Sequence, residues 1–159
     1  MARIIALPIE TLVRELDAKI LLSAYLLNEG FEVLIGSRGG IWNELKYFIN
    51  ADIIYKSISK GIEPMLIKVK ENGGRVYILD EEANVFSKNQ DNIIKSIFPE
   101  NMTYLIDDYF ICGEKIKSLV LKNITGIKEE QLHVVGHPRF DFFKRPYKNY
   151  FSIKTNKIK

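Results

Sequence analysis

Cysteine is nearly absent from this chain. Cys112 is the single one in 159 residues, which excludes an internal disulfide framework and fits a reducing compartment. It reads as a small apolar residue rather than a nucleophile. Long hydrophobic runs are missing too. The best stretch, Ile20 to Leu27, is broken by Ser23 and falls well short of the ~18 residues that cross a bilayer. Ile4 to Leu7 is too short for an export signal, and Pro8 and Glu10 follow at once. With two histidines in all, no Cys/His spacing suggests zinc, and no Ser-His-Asp or Cys-His set suggests a nucleophilic hydrolase. Gly36-Ser-Arg-Gly-Gly40 has neither the dinucleotide nor the phosphate-loop spacing. The dense basic-aromatic stripe of nucleic-acid binders is also lacking. These absences lead us to expect a cytoplasmic protein with no metal, no cofactor and no nucleic-acid partner.

What is present suits one domain around one core. Hydrophobic residues make up 47% and charged residues 27%. The net charge of +3 is unevenly spread: residues 142–159 carry six basic residues and no acid, so residues 1–141 are mildly acidic. Such a basic end is either a solvated linker or a means of approach to anionic lipid at the inner face of a membrane.

Apolar runs at Arg3–Pro8, Phe31–Ile35, Asp52–Tyr55, Arg75–Leu79, Tyr109–Cys112 and Leu132–Val135 read as strands. Helical spacing separates them, which predicts an α/β, doubly wound, mostly parallel six-stranded Rossmann-like sheet with right-handed crossovers. In the first helix Leu12, Leu16, Ile20 and Ala24 recur at i, i+4, so this stripe is expected to face the core, with Gly30 as the stop. Ser37-Arg-Gly-Gly40 reads as a loop, and Ser59 as a helix cap. The expected domain covers 1–146, with 147–159 a basic linker toward a further domain.

Ligands of open α/β sheets bind at the carboxyl ends of strands, and the polar clusters of this chain fall there. Glu10, Arg14 and Asp17 share the spacing of one helical face. They suit either anion recognition or a cap with an intrahelical ion pair. Lys56 and Ser57 follow the third strand and suit phosphate or sugar hydroxyls. Asp80-Glu-Glu82 crowds three acids at a strand end, where Glu81 is a candidate general base and Glu82 a ligand contact. Val135-Gly-His-Pro-Arg-Phe-Asp141 sets His137, Arg139 and Asp141 around Pro138, with Phe140 expected in the core, His133 structural inside the strand, and His137, after Gly136, the better exposed of the two for bonding a ligand.

Four segments together resemble the N-terminal half of bacterial surface-carbohydrate biosynthesis proteins of the GT-B glycosyltransferase type. They are Pro8-Ile-Glu-Thr-Leu-Val-Arg-Glu-Leu-Asp-Ala-Lys19, Lys56-Ser-Ile-Ser59, Leu79-Asp-Glu-Glu82 and Gly136-His-Pro-Arg-Phe-Asp141. The family's usual forms have Asn where this chain has His137, and often Gly where it has Ala83. The resemblance implies a Rossmann-like acceptor-side domain, from about Ile4 to Phe143, that works with a C-terminal donor-binding domain. It further implies transfer of a sugar from a nucleotide-activated donor to a glycan or lipid-linked acceptor. Glu10 or Glu81 would then be the base or hydroxyl binder, Arg14 and Lys56 would hold anionic groups, and His137 and Arg139 would line the interdomain face. Half of a sugar-nucleotide 2-epimerase, or a non-catalytic Rossmann-like binding module, are the alternatives.

Overall fold

The computed structural model describes residues 2–81 and 90–150. Six strands, β1 (Ile4–Ile9), β2 (Glu32–Ser37), β3 (Asp52–Tyr55), β4 (Val76–Leu79), β5 (Asp108–Ile111) and β6 (Leu132–Val134), form one sheet in the order β2-β1-β3-β4-β5-β6. All five pairings are parallel. Between them run α1 (Leu12–Asn28), α2 (Arg38–Leu45), α3 (Glu63–Glu71), α4 (Gln90–Ile97) and α5 (Glu114–Asn123). The fold is thus the α/β, Rossmann-like, doubly wound architecture that the strand-helix alternation implies.

Chain direction dictates which face each helix covers. From β1 the chain steps outward to β2, then returns past β1 to β3 and continues the same way to β6. With right-handed crossovers, the first step puts α1 on one face and the later steps put α2 to α5 on the other. The larger core agrees, joining Ile53, Val76, Ile78, Tyr109 and Ile111 to Leu66, Ile94 and Val120. On the opposite face Ile5, Leu7, Ile54 and Leu79 meet Leu22 and Leu26 of α1. The step reverses between β1 and β3, so the crevice at their carboxyl ends is the topological switch point, where ligands of such sheets bind.

The observed elements correct several expectations. The stripe Leu12, Leu16, Ile20 and Ala24 does not face the core. Leu12 and Ile20 are exposed and Val13 is 97% so, whereas Glu15, Ala18 and Lys19 point inward. Ser37-Arg-Gly-Gly40 is not a loop: Ser37 closes β2 and caps α2, its Oγ accepting from the Gly40 amide at 3.2 Å. Ser59 caps nothing through its side chain, since α3 starts after a short 3₁₀ turn at Lys60–Ile62 with Ile62 at its N-cap. Phe140 stays exposed while Phe142 is buried, because the 3₁₀ turn Pro138–Phe143 directs alternate rings differently from a strand.

After β6 the chain turns at Gly136, whose φ of +85° lies in the left-handed region that favours glycine. It then doubles back to α1. There the Tyr147 and Tyr25 hydroxyls bond at 2.6 Å, and the Tyr150 hydroxyl donates to Asp17 at 2.9 Å.

Candidate functional site

β1 ends at Ile9 and leaves Glu10 and Thr11 as the link into α1, so Glu10 stands on the strand edge rather than on the helix. Four residues into α1, Glu15 turns back beneath that link. It accepts the backbone N–H groups of Glu10 at 2.9 Å and Thr11 at 3.2 Å, which satisfies donors that a helix start would otherwise orphan. The same carboxylate meets Lys56 Nζ at 3.1 Å and Arg14 Nη2 at 3.3 Å, and its exposure is 0%. Lys56 follows β3 directly and bridges to Glu10 Oε2 at 3.0 Å. The Tyr55 hydroxyl donates to the other Glu10 oxygen, and Arg38 approaches that oxygen at 3.3 Å. β1, β3 and the start of α2 thus converge on one carboxylate at the switch point.

A second pair lies beside the first. Lys19, one turn along α1 from Glu15, ion-pairs with Glu81 after β4 at 3.4 Å, with side chains 1% and 4% exposed. Neither the Lys19 ammonium nor the Glu81 carboxylate has a hydrogen bond of good geometry. Asp80, equally buried, accepts the Cys112 thiol at its backbone carbonyl at 3.3 Å. His137 Nε2 lies 3.3 Å from the Glu81 carbonyl, and its Nδ1 accepts the Arg139 amide at 3.2 Å. Both bonds are met by the neutral tautomer with its proton on Nε2.

The charges respond to these neighbours. Burial pushes the Glu10 carboxyl up, but the Tyr55 hydroxyl, Lys56 and Arg38 outweigh it and hold the group below its ordinary value. Glu15 behaves alike: burial raises it, and the Glu10 amide, Lys56 and Arg14 bring it below the usual range. Burial lowers Lys56, but Glu10 and Glu15 more than compensate, so it stays firmly charged. Lys19 differs. Burial dominates the pull of Glu81 and Glu15, and its ammonium is easier to deprotonate than an ordinary lysine's.

Of the residues proposed from sequence, Glu10, Arg14 and Lys56 come together around Glu15, and Glu81 lies against Lys19. Asp17 sits farther along α1, bonded to Tyr150. Ser57 is half-buried next to Lys56. His137, read as the better-exposed histidine, is instead buried at 9%, whereas His133 is half-exposed on the edge strand and bonds Asp108 at 2.8 Å. The Arg139 side chain is exposed, and Asp141 pairs with Lys144 at 2.6 Å. Glu82 lies outside the described residues. Glu15, Lys19, Tyr55 and Arg38 were not singled out. The signal for the first two was their i, i+4 spacing in opposite charge, which reads equally as a solvated pair.

Glu10 is the most open acid of the cluster, its side chain 29% exposed. It borders a hollow of about 400 Å³ walled by Ile9, Leu12, Leu16, Ile35, Gly36 and Ser37. Both of its oxygens already accept, one from Tyr55 and Arg38 and the other from Lys56, and the carboxylate still borders the hollow with part of its surface open to a further donor. Among the described residues no group of His, Cys, Asp or Glu side chains is arranged to hold a metal, and no helix is long and apolar enough to cross a membrane. No family model, curated protein or solved structure matches the chain.

Proposed function

We propose that this chain is the acceptor-side domain of a GT-B-type glycosyltransferase of bacterial surface-carbohydrate assembly. It holds the hydroxyl-bearing acceptor while a donor-binding domain presents the nucleotide-activated sugar. The observation that carries this reading is Glu10, a carboxylate kept ionised at the switch point by Tyr55, Lys56 and Arg38 and open toward a hollow. Sugar hydroxyls are donors, and a charged acceptor binds them more strongly than a neutral one. The four segments that carry the family resemblance also supply the meeting side chains: Glu10, Glu15 and Lys19 from the first, Lys56 from the second, Glu81 from the third and His137 from the fourth.

In the reaction the acceptor hydroxyl attacks the anomeric carbon. The bond from that carbon to the nucleotide phosphate breaks, and its electron pair leaves on the phosphate oxygen. Glu10 accepts the hydroxyl proton. A carboxyl held below its ordinary value is a weak base, so the proton moves late, once the attacking oxygen has begun to bond and its proton has become acidic. Geometry favours Glu10 over Glu81 for this task, since the Glu81 carboxylate is enclosed against Lys19. Lys56 is spent on two carboxylates and acts as a positioning residue for Glu10.

Ligand-observed NMR with nucleotides, nucleotide sugars and short phosphorylated glycans tests the reading. Glycans should bind and nucleotides should not, and Glu10→Gln should weaken glycan binding about 10- to 100-fold, the worth of one hydrogen bond to a charged group. Nucleotide-sugar binding that is indifferent to Glu10→Gln would instead favour the epimerase or binding-module alternatives.

A further inference from the structure

We infer that the apolar cavity between α1 and the returning C-terminal segment binds a single-chain anionic amphiphile with the chemistry of a lipid monophosphate. This inference stands apart from the sugar reading and uses none of the Glu10 cluster. Among the described residues α1 is the one helix on its face of the sheet, so β3, β4 and β5 present Ile54, Leu79 and Phe110 to a hollow rather than to a second helix. Leu22 of α1 and Val135 form two walls, and the segment from Gly136 to Tyr147 closes a third. The two tyrosine bonds to α1 hold that segment in place. The hollow, open on one side, measures about 540 Å³, within the range of roughly 300–1,000 Å³ that small-molecule sites occupy.

Shape and charge select the occupant. The lining at Leu22, Leu26, Ile54, Leu79, Phe110 and Val135 is apolar, and a flexible hydrocarbon chain covers it without bringing polar groups that would go unpaired. Lys144 and Arg145 stand on the border of the hollow. Lys144 is matched by Asp141 at 2.6 Å, and Arg145 is exposed. A guanidinium holds a phosphate by paired N–H donors. Apolar burial thus drives the chain of the ligand inward while Arg145 fixes its head.

The test is isothermal titration of this chain with decyl phosphate below its micelle concentration, alongside octyl phosphate, decanol and inorganic phosphate. Decyl phosphate should bind saturably, with octyl phosphate about 15-fold weaker, since each buried methylene is worth about fourfold. Decanol should bind weakly and inorganic phosphate not at all. Val135→Trp, which fills the hollow from an exposed position, and Arg145→Glu should each weaken decyl phosphate tenfold or more with the melting temperature unchanged. Absence of saturable binding, no dependence on chain length, or indifference to both variants overturns the inference. So does a dimer in sedimentation that decyl phosphate disperses, because the face would then belong to a second copy. None of these outcomes touches Glu10, so failure here leaves the sugar reading as it was.

Discussion

Glutamine at position 15 keeps the shape of the native side chain and removes its charge, which makes Glu15→Gln a direct probe of how the switch point is held. The native carboxylate takes two backbone amides, at 2.9 and 3.2 Å, and two cations, Lys56 at 3.1 Å and Arg14 at 3.3 Å. A glutamine can accept through one oxygen only, so its NH₂ group must face either a backbone N–H or an ammonium. Breaking a buried pair from one side costs about 3–5 kcal/mol. Lys56 is not stranded, however, because Glu10 stays 3.0 Å away. The expected loss is therefore about 2–4 kcal/mol, nearer the worth of one or two charged hydrogen bonds. With a urea slope of about 2 kcal/mol/M for a domain of this size, the unfolding midpoint should fall by about 1–2 M at pH 7 with the slope unchanged.

The loss carries a pH signature. The Glu10 and Glu15 carboxyls are depressed in the folded chain, so their contribution is full above the ordinary value of 4.5 and vanishes as pH falls through the folded values. Wild type should lose stability on acidification below that point, and the gap to Glu15→Gln should narrow there. Urea melts followed by circular dichroism at pH 7 and at about pH 3.5 read both effects. A midpoint shift below about 0.3 M at pH 7, or a gap that widens in acid, would refute the reasoning.

Three further outcomes follow from the same geometry. Tyr55→Phe removes a donor to Glu10, so the Glu10 carboxyl should titrate closer to 4.5, its ordinary value. A carbon-detected NMR titration in which it stays put would contradict that. Replacing Glu81 alone by leucine removes the carboxylate paired with the enclosed Lys19 ammonium and leaves it only the weaker pull of Glu15, which should cost about 3 kcal/mol, whereas Lys19→Met with Glu81→Leu should recover most of it. Equal stability of the single and double variants in urea melts would show that the pair is not coupled. Gly136→Ala meets no atom within 4 Å but must hold φ at +85°, so the cost should be purely conformational, about 1–2 kcal/mol in a thermal melt. A neutral result would mean that the turn relaxes.

The strands were legible because each is a short apolar run bounded by Gly, Pro or acidic residues, and the parallel sheet followed from the helices between them. The face of α1 was not. Of its most regular apolar stripe, Leu12 and Ile20 look outward and Leu16 is only half-buried, while the charged residues Glu15 and Lys19 look in. Hydrophobic periodicity assumes that burial belongs to apolar residues, and it fails where charges neutralise one another under a sheet edge. Glu10 and Lys56 were found because strand ends in this fold class point to ligands. Tyr55 was missed because a tyrosine closing an apolar strand gives no sign that its hydroxyl reaches a carboxylate 45 positions earlier. His137 and His133 exchanged their expected exposure because the turn at Gly136 folds His137 back under Glu81, a tertiary contact without a local signal.

The most direct test of the acceptor-side assignment is a nitrogen-proton correlation spectrum of this chain, titrated with the short glycan that binds most tightly. The account predicts shifts concentrated at Glu10, Ser37, Arg38 and Lys56, around the hollow at the end of β1, and their loss in Glu10→Gln. Shifts centred elsewhere on the chain, or a pattern that Glu10→Gln leaves intact, would contradict it.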